Sequence, residues 1–364
     1  MLGMVCLEFA LRLYCHFPTL PGAEAITGAT RYDPISEVTR WKIQFLDLYK
    51  ERGEEAIPIS QNEYRPHPTF GWVPNANLSF TDTEGRRYTT NSQGFRSPHD
   101  YVRDDRFTVL VVGDSFTYGS GADDSDVWPT ILQTIRPEIN VLNCGVGAYG
   151  TDQMLLMLEE QVKIFHPDLV IAAYISDDLR RSLLPFRDYW KPYFLMEDGS
   201  LILKGIPIPE LSSGVERIKR DVRLHRIARF LGRSRVLSIL LNIVELVVPD
   251  SPVHSTDDKN LLNELIFERM ITSTRAAGAE IILVYLPNAR WLVDPDLESP
   301  GEEFLREFVG NHDVRVLNTR PIFLKQEQQF SQKHYQRPAA SVVAGAVSDE
   351  LDSLTGGCFP ASKK

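Results

Sequence analysis

Five short runs of apolar residues recur along the chain from residue 107 onward. They cover residues 107–112, 139–143, 169–175, 280–286 and 314–318. The first run is almost continuously apolar, as is typical of a strand buried on both faces of a parallel sheet, and the other four are similar runs with a few polar residues. Patterns with helical spacing separate these runs. The alternation predicts an α/β fold in which helices flank an open parallel sheet of five strands, a three-layer α/β/α sandwich.

The predicted helices fix where chemistry should be sought. They cover residues 127–135, 151–164, 260–276 and 301–309, and a last helix at 338–354 closes the domain. Pro129 suits the first turn of its helix. In open parallel sheets, ligands bind beyond the carboxyl ends of the strands. The residues that directly follow each strand are therefore the candidates for a functional site.

The remaining chain divides into three parts. Residues 1–20 are a possible remnant of a membrane anchor. Residues 21–100 form an N-terminal extension, first rich in turn formers (18–58) and then, from 64 to 95, broken into short alternating pieces that predict a lobe of β-hairpins. The sheet domain covers 101–355. It contains about a hundred residues between two strands, far more than a crossover needs, so we expect a cap over the site at about 180–258.

Two segments leave a membrane role open. Residues 1–17 are mostly apolar but shorter than the roughly 20 residues that span a bilayer. They fit the stub of a longer anchor, an amphipathic surface helix or an ordinary packed helix. The basic segment 217–235 precedes an apolar run at 236–248. It fits either a solvated helix face followed by a core helix, or a contact with a membrane surface or an anionic polymer.

Charge and cysteine content exclude several partners. The formal net charge is −10, so we expect no nucleic-acid binding. The four cysteines lack the paired spacing of a zinc site and are too scattered for a disulfide framework. We therefore predict no metal and no cofactor.

Three of the loops after the strands, and one histidine, carry candidate chemistry. The first loop reads GDSFTYGSG and places Ser115 at a strand-to-helix junction, where its own N–H can face a developing oxyanion. The second, NCGVGAYGTDQ, is glycine-rich and brings backbone N–H groups close to a substrate, or is simply a tight turn. The third reads YISDDLRRS. Among the eight histidines, His334 alone lies both beyond the last strand and at a helix entrance, whereas His166 and His312 are interpreted as structural.

In the order of these blocks the chain resembles the SGNH, or GDSL-type, hydrolase superfamily, from about residue 64 to 354. More narrowly, it is similar to bacterial members with a membrane anchor and a cap insertion such as DYWKPYFLMEDGSL. The resemblance implies the flavodoxin-like sheet of that superfamily. It also implies Ser115 as nucleophile, His334 as general base, and an oxyanion donor in the Gly147–Ala148 loop, with Ala148 where the family usually has glycine.

Two blocks depart from the family pattern. The third normally reads Gly-Asn-Asp with the asparagine amide donating to the oxyanion, but Ser176 and Asp177 stand at its first two positions. An ionised Asp177 has no donor and repels negative charge, so the block could serve only if Asp177 is protonated or if the Ser176 hydroxyl substitutes. The last block lacks the aspartate before the histidine, and the Gln332 carbonyl or a backbone carbonyl is the candidate that orients His334 instead.

Two functions remain from the sequence. The first is a serine esterase or O-acyl (acetyl) transferase that acts on an acylated carbohydrate or lipid ester. The second is a catalytically degenerate relative that binds a glycan or partner protein. The apolar N-terminus and the resemblance together favour the periplasmic or extracytoplasmic face of a bacterial inner membrane, with the cytoplasm as the alternative.

Overall fold

The computed structural model describes Ala10 and residues 37–53, 63–231, 256–326 and 334–356. In chain order its strands are β1 (Tyr64–His67), β2 (Gly71–Pro74), β3 (Ser79–Thr81), β4 (Arg87–Thr89), β5 (Phe107–Gly113), β6 (Ile139–Asn143), β7 (Leu169–Tyr174), β8 (Phe186–Arg187), β9 (Tyr189–Trp190), β10 (Tyr193–Glu197), β11 (Ser200–Lys204), β12 (Glu280–Tyr285) and β13 (Arg315–Asn318). The α-helices are α1 (Glu37–Arg52), α2 (Ser115–Tyr118), α3 (Trp128–Ile135), α4 (Thr151–Phe165), α5 (Ser176–Arg181), α6 (Leu211–Leu231), α7 (Thr256–Ala276), α8 (Pro300–Asn311), α9 (Arg320–Leu324) and α10 (Arg337–Thr355).

The central sheet has five parallel strands in the order β13-β12-β7-β5-β6. Each of the five apolar runs predicted from the sequence forms one of these strands, so the predicted fold class is confirmed. The chain leaves β5 to pair β6 on one side and then crosses to β7 on the other. This reversal is the topological switch point at which open α/β sheets place their ligand sites.

The sheet separates two apolar cores. Along β5, Leu110 and Val112 face one side, where the core includes side chains of α4, α7 and α8. Val109 and Val111 face the other side, where α3 and α10 cover them. Because successive side chains of a strand point to opposite faces, a strand buried on both sides must be apolar at every position. This explains why the runs of the central strands β5 and β7 are almost continuously apolar in the sequence.

The N-terminal extension contains a long helix that the sequence analysis missed. Residues 18–58 are rich in turn formers and no helix was predicted there, yet α1 occupies Glu37–Arg52. The prolines at 34 and 58 bracket the helix rather than interrupt it. Within α1, Val38, Lys42 and Phe45 are buried at the helical spacing that packs one face. Of residues 1–17, only Ala10 lies within the described residues.

The predicted β-rich lobe consists of two antiparallel hairpins, β1–β2 and β3–β4. Arg96 fastens this lobe to the loop that follows α2. Its guanidinium is buried, pairs with Asp124 at 2.7 Å, and donates to the carbonyls of Gly119 and Ala122. The lobe is therefore anchored beside the carboxyl end of β5.

The long connection between β7 and β12 begins with two small antiparallel pairs, β8–β9 and β10–β11, and continues with α6. The first part of the basic segment, up to Leu231, lies on α6, where Val215, Ile218 and Val222 are buried. The apolar run 236–248 lies outside the described residues. Among the helices in the described part of the chain, none is both long and apolar enough to cross a membrane.

Candidate active site

Ser115 is the first residue of α2, immediately after β5. Asp114 caps this helix, since its carboxylate accepts a hydrogen bond from the Phe116 N–H at 2.8 Å. A side chain at Gly113 would collide with Thr117, so the sharp turn from strand to helix requires glycine there. Ser115 is thereby held at the carboxyl end of the sheet with only 8% of its surface exposed.

His334 lies against Ser115 although 219 residues separate them in the chain. Its Nε2 atom is 3.0 Å from the Ser115 hydroxyl oxygen, within hydrogen-bond distance. The ring packs on Phe116 with a centroid separation of 5.2 Å. The next residue, Tyr335, is buried and donates its hydroxyl to the Pro287 carbonyl at 2.6 Å. These contacts fix the histidine at the start of α10.

The loop after β6 approaches Ser115 from the opposite side. Gly147 and Ala148 both line the cavity that contains Ser115. Ala148 has φ of 68°, in the left-handed region that favours glycine, which agrees with the glycine that the family resemblance places there. The β-rich lobe holds this loop: Trp72 Nε1 donates to the Gly147 carbonyl at 2.9 Å, and a side chain at Gly147 would collide with the Tyr64 hydroxyl.

Two backbone N–H groups are suited to an oxyanion. Ser115 begins α2, so its N–H has no acceptor within the helix. The Ala148 N–H belongs to the tight loop on the same cavity. Among the described residues, no hydrogen bond uses either N–H as donor. Both are therefore available to a bound substrate.

The third block contributes only one of its two predicted residues to the cavity. Asp177 lines it, and its carboxylate lies 3.6 Å from Arg290, which lines it too. Ser176 is turned away. Its hydroxyl accepts from the Gly301 N–H at 3.0 Å and pairs with the Tyr285 hydroxyl at 3.1 Å. The expectation that the Ser176 hydroxyl replaces the amide was wrong, because α8 and β12 already occupy its hydrogen bonds.

A buried arginine contacts the residue that precedes the nucleophile. Arg181 donates to Asp114 at 3.0 Å and to the Tyr149 carbonyl at 3.2 Å, and it also pairs with Asp178. Burial, together with the nearby Asp114 charge, raises the pKa of Asp178 well above its usual value, while Arg181 opposes that rise. The negative charges of Asp114 and Asp178 are therefore both compensated by the Arg181 guanidinium.

Ser115 and His334 open onto a cavity of about 770 Å³. Its walls combine aromatic and charged side chains from the lobe, the sheet edge and the cap. The aromatic and charged residues on these walls that have not been named above are Glu63, Phe80, Asp82, Arg86, Tyr88 and Arg187. Arg187 and Arg181 belong to the connection predicted to cap the site, so the beginning of that segment does border the cavity.

Most of the predicted site residues are brought together: Ser115, His334, Gly147, Ala148 and Asp177 all line one cavity. Gln332 lies outside the described residues, so its role in orienting His334 stays a prediction. The sequence analysis missed Asp114, Arg181 and Arg290. Asp114 and Arg181 stand in the GDS and SDDLRRS blocks and could have been found as a charge pair. Arg290 lies outside these sequence blocks, so no motif pointed to it.

Comparisons with known proteins give matches of fold only. No family model and no curated protein matches the chain. TesA is 14% identical, with 68% of this chain and 99% of that chain aligned at a TM-score of 0.39. A lipolytic protein of the G-D-S-L family from Desulfitobacterium hafniense is 13% identical (66% and 99% aligned, TM-score 0.36). A catalytic mutant of Axe2, an acetylxylan esterase from Geobacillus stearothermophilus, is 14% identical (69% and 96% aligned, TM-score 0.38). At these identities and TM-scores, we infer the chemistry from the geometry of the site itself.

Proposed function

We propose that this chain is a serine ester hydrolase with Ser115 as nucleophile and His334 as general base. One observation carries the proposal. The Ser115 hydroxyl lies 3.0 Å from His334 Nε2, and both residues line an open cavity at the switch point of the sheet. A degenerate binding protein has no need to keep this pair in contact, and its remnants would be expected to separate or to be blocked.

The reaction follows from this arrangement. His334 Nε2 takes the hydroxyl proton as Ser115 Oγ attacks the acyl carbon, and negative charge develops on the carbonyl oxygen. The N–H groups of Ser115 and Ala148 donate to that oxygen. His334 then gives its proton to the departing alkoxide, which leaves an acyl group on Ser115. Water, or a hydroxyl acceptor in a transferase, attacks the acyl carbon as it loses a proton to His334. The bond from the acyl carbon to Ser115 Oγ then breaks, and His334 returns the proton to Ser115.

The cavity walls favour a carbohydrate ester as substrate. Phe80, whose ring stacks on Tyr88, lines the cavity and offers its outer face to a sugar, and Arg86 with Asp82 offers polar hydrogen-bonding groups. A long alkyl chain would gain little beside charged side chains. We therefore favour an acylated carbohydrate over a lipid ester, and we include transfer to a second hydroxyl as a variant of the same chemistry. We further propose a location at the outer face of a bacterial inner membrane, which fractionation of cells would test.

Hydrolysis of p-nitrophenyl acetate and of acetylated xylo-oligosaccharides tests the proposal. We expect turnover that Ser115→Ala abolishes and that Ser120→Ala, a serine on the same cavity wall, retains. Added oligosaccharide acceptors would reveal acetyl transfer by mass spectrometry. Turnover that survives Ser115→Ala would contradict the proposal. So would its absence from both the wild type and Asp177→Asn, and that outcome would favour the glycan-binding alternative.

A further inference from the structure

A second group of ligating side chains lies on the helices that flank β12 and β13. Glu264 and Glu268 stand one turn apart on α7, and His312 directly follows α8. The two carboxylates and the imidazole each offer one atom, and these atoms lie within 4.8 Å of one another. In the described parts of the chain this is the one group of three or more such side chains with that spacing. None of the three residues lines the Ser115 cavity.

The distances fit a small divalent ion. His312 Nε2 is 2.8 Å from a carboxylate oxygen of Glu268 and 3.9 Å from one of Glu264. Zinc bonds of about 2.0–2.1 Å in a tetrahedral arrangement separate neighbouring ligand atoms by about 3.3 Å. These two separations lie on either side of that value and the two carboxylate oxygens lie within 4.8 Å of each other, so side-chain shifts of about 1 to 1.5 Å would complete three of four positions. Water can supply the fourth, because all three side chains are partly exposed.

The imidazole is oriented as metal-binding histidines usually are. Its Nδ1 atom is 2.9 Å from the Phe308 carbonyl, and its ring stacks on the Phe308 ring at 4.1 Å. A hydrogen bond from Nδ1–H to a backbone carbonyl fixes the tautomer that leaves Nε2 free as a ligand. Phe308 itself is buried in the core, so the ring has a rigid support.

A protonated His312 carries one positive charge and faces two carboxylates. Its Nε2 lies 2.8 Å from Glu268 and 3.9 Å from Glu264, so it balances only one of their two negative charges. Glu264 adds a second negative charge one turn away on the same helix, an arrangement that weakens a helix unless a cation lies between the two. A divalent ion would neutralise both carboxylates at once.

We propose that Glu264, Glu268 and His312 form a zinc-binding site that joins α7 to α8. Glutamate oxygen and histidine nitrogen are ligands that zinc accepts, and three protein ligands with one open position is a common zinc arrangement. The ion would cross-link the helix that ends the cap connection to the helix that follows β12. The site is separate from the proposed ester hydrolysis and requires no change in that chemistry.

Metal titration of the full-length protein tests the proposal. Protein stripped with EDTA and dialysed is titrated with ZnCl₂ in competition with a chromogenic chelator, and CoCl₂ is used to record visible absorption from a coordinated ion. We expect His312→Gln and Glu268→Gln each to remove one zinc equivalent per chain and to weaken cobalt absorption at least tenfold. His99→Gln and Glu303→Gln, which change exposed residues outside the cluster, serve as matched controls and should bind as the wild type does.

The outcomes are decisive in either direction. Circular dichroism confirms that each variant is folded before titration. Loss of one equivalent in both cluster variants, with both controls unchanged, supports the site. Equal zinc stoichiometry in the wild type and the cluster variants would overturn it, and so would loss of an equivalent in His99→Gln.

Discussion

Arg181 donates a hydrogen bond of 3.0 Å to Asp114, the residue that precedes the proposed nucleophile and caps its helix. The same guanidinium pairs with Asp178, and all three side chains are buried. The carboxylate that shapes the Ser115 turn is thus compensated by an arginine from the third sequence block. The geometry of the nucleophile depends on a residue that does not itself react.

Replacing Arg181 should therefore destabilise the fold strongly. In Arg181→Met two buried carboxylates lose their shared partner, and breaking a buried pair in this way costs about 3–5 kcal/mol. Urea denaturation would measure the loss. Arg269→Met, which removes a more exposed pair with Glu159, should cost less than about 1 kcal/mol. A loss for Arg181→Met no larger than that of this control would show that the buried network is not required.

Asp177→Asn should raise the rate of ester hydrolysis. The change removes a negative charge from the cavity and supplies an amide donor at the position where the SGNH pattern that the sequence resembles has asparagine. An oxyanion donor contributes about 10²–10³ in kcat where it is well placed, and we expect a gain of about tenfold here, with little change in KM. Steady-state kinetics on p-nitrophenyl acetate would measure it.

Asp82→Asn is the matched control for this gain. Asp82 is another cavity carboxylate paired with an arginine, Arg86, at 2.7 Å. If both variants gain equally, general removal of negative charge is responsible and the oxyanion role of position 177 is wrong. If Asp177→Asn is no faster than the wild type, the position does not contact the developing charge.

Ala148→Gly should stabilise the protein slightly without lowering its activity. The φ of 68° at Ala148 strains an L-residue and not glycine, and the backbone N–H is kept. Glycine gains more backbone entropy than alanine on unfolding, and this offsets part of the relieved strain. We therefore expect about 0.5–1 kcal/mol of added stability, measured by chemical denaturation. Ala346→Gly, within α10, should instead cost about 1 kcal/mol. Destabilisation of equal size in both variants would contradict the strain.

His312 should make stability depend on pH in metal-free buffer. Burial lowers the pKa of His312, but hydrogen bonds to Glu268 and to the Phe308 carbonyl, with the charges of Glu268 and Glu264, outweigh it and raise the pKa. A raised pKa stabilises the fold below the unfolded value of about 6.5, and that stability is lost as pH rises through the folded pKa. Since the pair is near the surface, the effect should stay within about 1 kcal/mol.

Thermal unfolding of the wild type and His312→Gln in EDTA would measure this dependence. The deficit of the variant should be larger at pH 5.5 than at pH 8.5. The control is His99→Gln, whose deficit should not change with pH in this way. A His312→Gln deficit that is constant, or that grows with pH, would contradict a protonated His312 paired to the carboxylates.

The sequence predicted the structure best where a single strand or helix determines the pattern of apolar and polar residues. The runs of the central strands are almost continuously apolar because both faces of the sheet are covered, so the run at 169–175 could be assigned directly to β7. Ser115 and His334 could be predicted because each follows a local signal, a strand end and a helix entrance. Helix α1 was missed because its buried face depends on packing against β8 and α6, which no local pattern records.

Contacts between distant segments could not be predicted. The pairing of Asp177 with Arg290 joins residues more than a hundred positions apart, through a short 3₁₀ helix at Ala289–Leu292. Ser176 looked equivalent to its neighbour in the sequence, yet helix geometry turns its hydroxyl toward Gly301. Adjacent residues of a helix point in directions about 100° apart, so only the fold decides which one faces the cavity.

The most direct test of the central claim is covalent labelling by a fluorophosphonate, which reacts with an activated serine. Peptide mapping by mass spectrometry should find the label on Ser115 at one equivalent per chain. His334→Asn should slow labelling by at least a hundredfold, because the hydroxyl loses its base. Ser120→Ala should be labelled as the wild type is. An unlabelled protein, a label on another residue, or equal labelling in His334→Asn would contradict a Ser115–His334 catalytic pair.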